Sequence, residues 1–169
     1  MKAVRIIIAA LVLIFILVQF IPSGIPENKP EDEKSIANDS LMAGTVLEQL
    51  RKSCFDCHSN QVDFPWYAKM APSSWLLANH INEGKSNLNF SEWEEYSNRE
   101  KIGLLDDIKE EVSSGKMPLK SYLLLHRDAK PAPEEIAAIL KWAEVETAII
   151  LGKEITINTL ITSALNSEK

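Results

Sequence analysis

Apolar positions fall into one unbroken block and several helix-spaced stripes. The block runs from Ile6 to Ile21 and is interrupted only by Gln19. Beyond it, Ile36, Ala43, Val46, Leu47, Leu50 and Cys54 fall near one helical face. A second stripe predicts a helix from Ser73 or Ser74 to about Asn82, ended by Gly84. Ser91, with Glu94 three residues on, has the form of a capping box. Ile102, Leu105, Ile108 and Val112 predict a helix from about Glu100 to Ser113, with Gly115 as its stop. The last strong helix opens at Pro133-Glu134-Glu135, with proline in the first turn and acids at the positive end. It carries Ile136, Ile139, Leu140, Ala143 and Ile150 and is expected to end near Gly152. Ile155-Thr156-Ile157 is too short an alternation to count as a strand. The expected class is all-α.

Charge changes the reading of both ends. Lys2 and Arg5 precede the apolar block, the arrangement of an export signal. No small-x-small cleavage pair closes the block and no cysteine follows it, which favours an uncleaved transmembrane signal anchor over 1–22, with a cleaved signal peptide as the alternative. Positive charge on the N-terminal side keeps that end in the cytoplasm and exports the rest. The expected location is the cytoplasmic (inner) membrane, single-pass, with the folded domain in the periplasm. Residues 23–35, with Pro26 and Pro30 among charges, read as a semi-extended linker. The folded domain is expected over 36–152, with 153–169 a peripheral tail. The 24 acidic and 18 basic residues give a net charge of −6. That excludes nucleic acid as a natural partner and suits docking to a basic patch on a redox protein.

The two cysteines stand as Cys54-Phe55-Asp56-Cys57-His58. C-x-x-C followed at once by His is the pattern of covalent haem attachment. Two thiols one helical turn apart reach the two vinyl groups, and the next residue offers an imidazole to iron. Three other readings compete. A thioredoxin-like pair would sit at a helix N-terminus after a strand, whereas the residues ahead are helical in pattern. A zinc site would need two further ligands, and only His80 and His126 remain. A structural disulfide would not need His58.

An electron-carrying haem usually has a second protein ligand. Met117 lies in Gly115-Lys116-Met117-Pro118, after a helix end and held extended by proline, and is the first candidate. His80 is its rival, His126 ranks third, and Met70 lies close to the attachment site in sequence. Aromatic residues cluster at Phe64-Pro65-Trp66-Tyr67, Trp75, Phe90, Trp93 and Tyr96, where they would cover core or a flat cofactor.

A helix entering Cys-x-x-Cys-His, a later Met-Pro loop and a proline-started helix carrying Trp142 together resemble a class I cytochrome c. That resemblance implies a crossing of first and last helices, with Ala43 or Gly44 against Trp142. The chain is still more similar to the haem-binding-domain family of exported bacterial proteins, through Cys54 to Asn60, Phe64 to Tyr67, Trp75 to Ile81, Asn89 to Trp93 and Met117 to Tyr122. The similarity covers about residues 40–145. It implies one haem c on Cys54 and Cys57 with His58 on iron, in a cytochrome c-like helical domain. The long insert between His58 and Met117, containing His80, departs from ordinary class I proteins. The expected function is a non-enzymatic, membrane-anchored carrier of single electrons between redox proteins. The alternative is a haem sensor or small-ligand binder with a weak or absent sixth ligand.

Overall fold

The computed structural model describes residues 1–39, 42 and 44–167, with side chains as far as Lys153. Every regular element among the described residues is helical: α1 (Lys2–Val18), α2 (Gly44–Ser53), α3 (Phe55–His58), α4 (Ser73–Asn87), α5 (Asn98–Ser113), α6 (Lys120–Leu123) and α7 (Pro133–Ser167), with short 3-10 turns between them.

The core forms where the amphipathic faces of α2, α5 and α7 meet. Val46 and Leu50 of α2, Leu105, Ile108 and Val112 of α5, and Ile139, Trp142, Ala143 and Ile150 of α7 belong to one buried cluster, with Phe55, Phe90 and Trp93 closing one side. The interface of α5 with α7 is the most extensive, so the stripes read at helical spacing are the residues that pack.

Local chemistry moved several boundaries. The capping box belongs to Ser97 and Glu100: Ser97 Oγ accepts from the Glu100 amide at 3.4 Å, and Glu100 accepts from the Ser97 amide at 2.8 Å. Ser91 does not cap a helix in this way. The Asn89 side chain caps the 3-10 turn Phe90–Glu95, and Ser91 Oγ accepts from the Asn60 amide. Ile36 is not on one continuous helix with Leu50; it sits in a 3-10 turn, Ile36–Asn38, and is fully buried. The final helix does not stop at Gly152 but continues as backbone to Ser167. Of the two residues expected to meet Trp142, Ala43 lies outside the described residues. Gly44 has nothing within 4 Å of the position a Cβ would take, so no close helix crossing is made there.

The stretch ahead of the domain is extended, and it is hydrogen-bonded onto the domain along its length. Asn82 donates to the Gly24 carbonyl at 3.3 Å. The Asn28 amide donates to the Val62 carbonyl at 2.8 Å and accepts from the Val62 amide at 3.0 Å. Lys29 N–H donates to Asn60 at 3.0 Å, and Glu94 N–H to Lys34 at 3.0 Å. Among the described residues no helix is long and apolar enough to cross a membrane. α1 has 17 residues, none of them buried, and at the standard rise it is roughly 25 Å long.

Candidate functional site

The Cys54-to-His58 segment leaves α2 and turns immediately into α3, with the Cys57 and His58 amides donating to the Cys54 carbonyl at 3.1 and 2.9 Å. That one turn brings both thiols and the imidazole onto the wall of a cavity of about 610 Å³. The cavity is large enough for a cofactor. Its apolar walls come from Trp66, Leu76, Leu77, Leu119 and Leu125, and Tyr67 and Tyr122 also line it.

α4 shapes this wall, and glycine makes its approach possible. A Cβ on Gly84 would lie 2.4 Å from the Cys57 carbonyl oxygen. Gly84 is therefore the contact that lets α4 lie against the Cys54–His58 turn. It was expected to end the helix, but α4 runs three residues further, to Asn87.

The end of α4 then orients His58. Its Nδ1 lies 3.1 Å from the carbonyl oxygen of Leu88, the residue that caps the helix. A carbonyl can only accept, so Nδ1 carries the proton and Nε2 keeps its lone pair. Burial holds the His58 pKa below the ordinary histidine value, which keeps the ring neutral, the form that binds a metal.

Burial acts on the cysteines in the opposite direction. It pushes the Cys54 thiol up to about 12, with the neighbouring Cys57 adding to the shift. Cys57 is pushed up to about 11 by burial and then by Asp56. Both are neutral thiols at physiological pH, unlike the low-pKa cysteines of redox-exchange sites. Among the described residues no group of three or more His, Cys, Asp or Glu side chains could hold a metal ion, which removes the support for a zinc site there.

Met117 follows the C-terminal end of α5 and lines the cavity. Gly115, at φ 69°, ends the helix as expected, and the Lys116 and Met117 amides both donate to the Glu111 carbonyl at 3.0 Å. Those bonds fix the backbone from which Met117, Pro118 and Leu119 line the cavity. His80 of α4 lines it too, so both sixth-ligand candidates share one space with His58. Met70 and His126 do not line it. His126 instead stacks on Tyr122, with ring centroids 4.2 Å apart.

The haem-binding domain family matches residues 13–145.

This chain belongs to that family. No curated protein and no solved structure matches it. The residues present fit haem: a neutral imidazole with Nε2 unengaged by the Leu88 bond, a thioether sulfur, two cysteines one turn apart, and apolar walls of the right extent. Three parts of the haem-binding domain's site were not assigned from the sequence. Gly84 has the sequence signature of a helix stop, the Leu88 carbonyl has no side-chain signature, and Tyr122 carries no signal beyond the Met117-to-Tyr122 family pattern. The Tyr122 hydroxyl donates to Asp56, the residue between the two cysteines, at 2.8 Å.

Proposed function

We propose that this haem-binding domain is a monohaem cytochrome c that carries single electrons between redox proteins, tethered at the outer face of the cytoplasmic membrane by its N-terminal helix. The observation that carries the reading is the meeting of Cys54, Cys57, His58 and Met117 on one largely apolar cavity. The bound group would supply the one-electron chemistry; the chain supplies attachment, ligands and exclusion of water. Cys54 and Cys57 would form the two thioethers. His58 would give Nε2 to iron, its ring held by the Leu88 carbonyl, and Met117 would give the sixth ligand. A thioether ligand and apolar walls both favour the reduced state and a raised potential. The reading gives the domain no catalytic turnover of its own. Burial of the apolar residues of α1 in lipid would hold the carrier near its partners and raise their effective concentration.

A second reading is supported by one observation, that His80 lines the same cavity as Met117. With His80 on iron, or with neither ligand bound firmly, the domain would serve as a haem sensor or small-ligand binder.

The test is an absorption spectrum of protein made in a host that matures c-type cytochromes, followed by acid–acetone extraction. Haem that resists extraction, with a weak red Met–iron band absent from Met117→Ala, is expected. Extractable haem would overturn covalent attachment. Retained haem with a spectrum unchanged in Met117→Ala but altered in His80→Ala would transfer the sixth ligand and favour the sensor.

A further inference from the structure

Exposed apolar side chains gather at the rim of the cavity, apart from Val145 and Leu151 on α7. Among the described residues beyond the N-terminal run, seven large apolar side chains are exposed. Trp66 (75% exposed), Leu76 (59%) and Leu125 (67%) line the cavity, Leu124 (74%) adjoins Leu125 in sequence, and Met70 follows the turn that carries Trp66. The inner faces of Trp66, Leu76 and Leu125 would be covered by a bound cofactor; Leu124 and Met70, outside the cavity, would not.

One segment of this rim reverses the charge of the molecule, while the acid Glu83 also lines the cavity. Residues 116–130 contain four basic side chains and one acid, in a chain of net charge −6. Lys69, Lys120, Arg127 and Lys130 are exposed and form no ion pair among the described residues. Exposed apolar side chains beside unpaired cations are the composition that binds an anionic lipid surface.

The N-terminal helix is fastened at this rim. Gln19, the one polar residue of the apolar run, donates to the Ala71 carbonyl at 3.2 Å and accepts from the Ala71 amide at 2.9 Å. Ala71 directly follows Met70. A helix of roughly 25 Å falls short of a hydrocarbon layer of about 30 Å. Placed in a bilayer, it would draw the residues at its exit down into the headgroup region. The docked segment behind it, pinned at Gly24, Asn28 and Lys29, leaves little slack to relieve that pull.

We propose that the rim formed by Trp66, Met70 and Leu124, with Lys69, Lys120 and Arg127, rests on the anionic surface of the bilayer that holds α1. The proposal rests on the membrane-tethered cytochrome reading and adds an orientation to it: the cavity mouth faces the lipid, where partners embedded in the membrane would meet it.

The experiment uses the full haem-loaded chain in vesicles of equal parts phosphatidylglycerol and phosphatidylcholine. A polarity-sensitive fluorophore is placed in turn on Leu124→Cys, Leu11→Cys in α1 and Val145→Cys on α7, and its quenching by spin-labelled lipid is measured. Quenching at positions 124 and 11 but not at 145 is expected. It should be lost at position 124 alone when Lys69, Lys120 and Arg127 are changed to Glu, or when the vesicles are phosphatidylcholine only. Quenching at position 11 without quenching at 124 overturns the lipid contact while leaving the tether, and assigns the rim to a protein partner. Absence of quenching at both removes the tether and the proposal together. The unsubstituted protein is labelled in parallel: reaction at Cys54 or Cys57 would show that the thioethers are missing, which is a failure of the haem reading and not of the orientation.

Discussion

The hydroxyl of Tyr122 donates to Asp56 Oδ2 at 2.8 Å, and Asp56 Oδ1 accepts from the Asp63 amide at 2.9 Å. One carboxylate between the two cysteines thus holds the loop that leaves the Cys54–His58 turn and the short helix that follows Met117. Burial, with Asp56 adding to it, holds the Tyr122 pKa above the ordinary tyrosine value, so the phenol remains a donor.

Tyr122→Phe removes the donor and leaves a partly buried carboxylate with one partner fewer. A loss of about 1–3 kcal/mol is expected in urea unfolding. The segment carrying Met117 should also loosen, so that carbon monoxide binds the reduced variant more readily than the parent. Equal carbon monoxide affinity in the two proteins would limit the bond to a purely structural role.

Gly84→Ala places a methyl group against the backbone of Cys57, an atom that cannot rotate away. Overpacking of this kind typically costs about 1–3 kcal/mol. Because the strained contact is the Cys54–His58 turn on the cavity wall, the fraction of chains carrying haem should fall along with stability. Gly103→Ala, where nothing lies within 4 Å of the added atom, is the control and should load normally. Pyridine haemochrome absorbance per mole of protein measures both.

Glu146 on α7 is 5% exposed, and its Oε2 has no hydrogen-bond partner among the described residues. Burial raises its pKa above the ordinary carboxyl value, and Asp39 adds to the shift. A folded-state pKa above the unfolded one means that the bound proton stabilises the fold. That contribution is complete below the unfolded value and is lost as pH rises through the folded one. Glu146→Gln should therefore be more stable than the parent at pH 7, by about 1 kcal/mol. The difference should shrink as pH falls below the unfolded carboxyl range. Paired thermal melts at the two pH values check the sign.

Ser97 and Glu100 cap α5 reciprocally. Ser97→Ala should cost about 1 kcal/mol, while Ser91→Ala should leave α5 unaffected, since its hydroxyl serves the Asn60 amide instead. Chemical denaturation of the two variants separates the caps.

Much of this molecule could be read along the chain because the signals are local. The spacing of Cys54, Cys57 and His58 puts them on one turn at one cavity wall, Gly115 stops α5 because only glycine accepts that φ at little cost, and the stripe of Leu105, Ile108 and Val112 is the face that packs. The loop position of Met117 beyond α5 was legible for the same reason, from the glycine and proline beside it.

What tertiary structure alone decided are relations between residues far apart in sequence. Gly84 looks like a helix stop until Cys57, 27 positions earlier, occupies the space its side chain would need. The Leu88 carbonyl that sets the tautomer of His58 is a backbone atom, carrying no mark in the sequence. Two Ser-x-x-Glu pairs stand six residues apart, and Asn60 takes the hydroxyl of one, leaving the other to cap α5. Gln19 reads as a flaw in an apolar run until it meets the Ala71 backbone. Periodicity and spacing determine which residues can act, since both follow from the geometry of a single helix. Which of them share a cavity depends on how the helices pack, and that depends on contacts no local window contains.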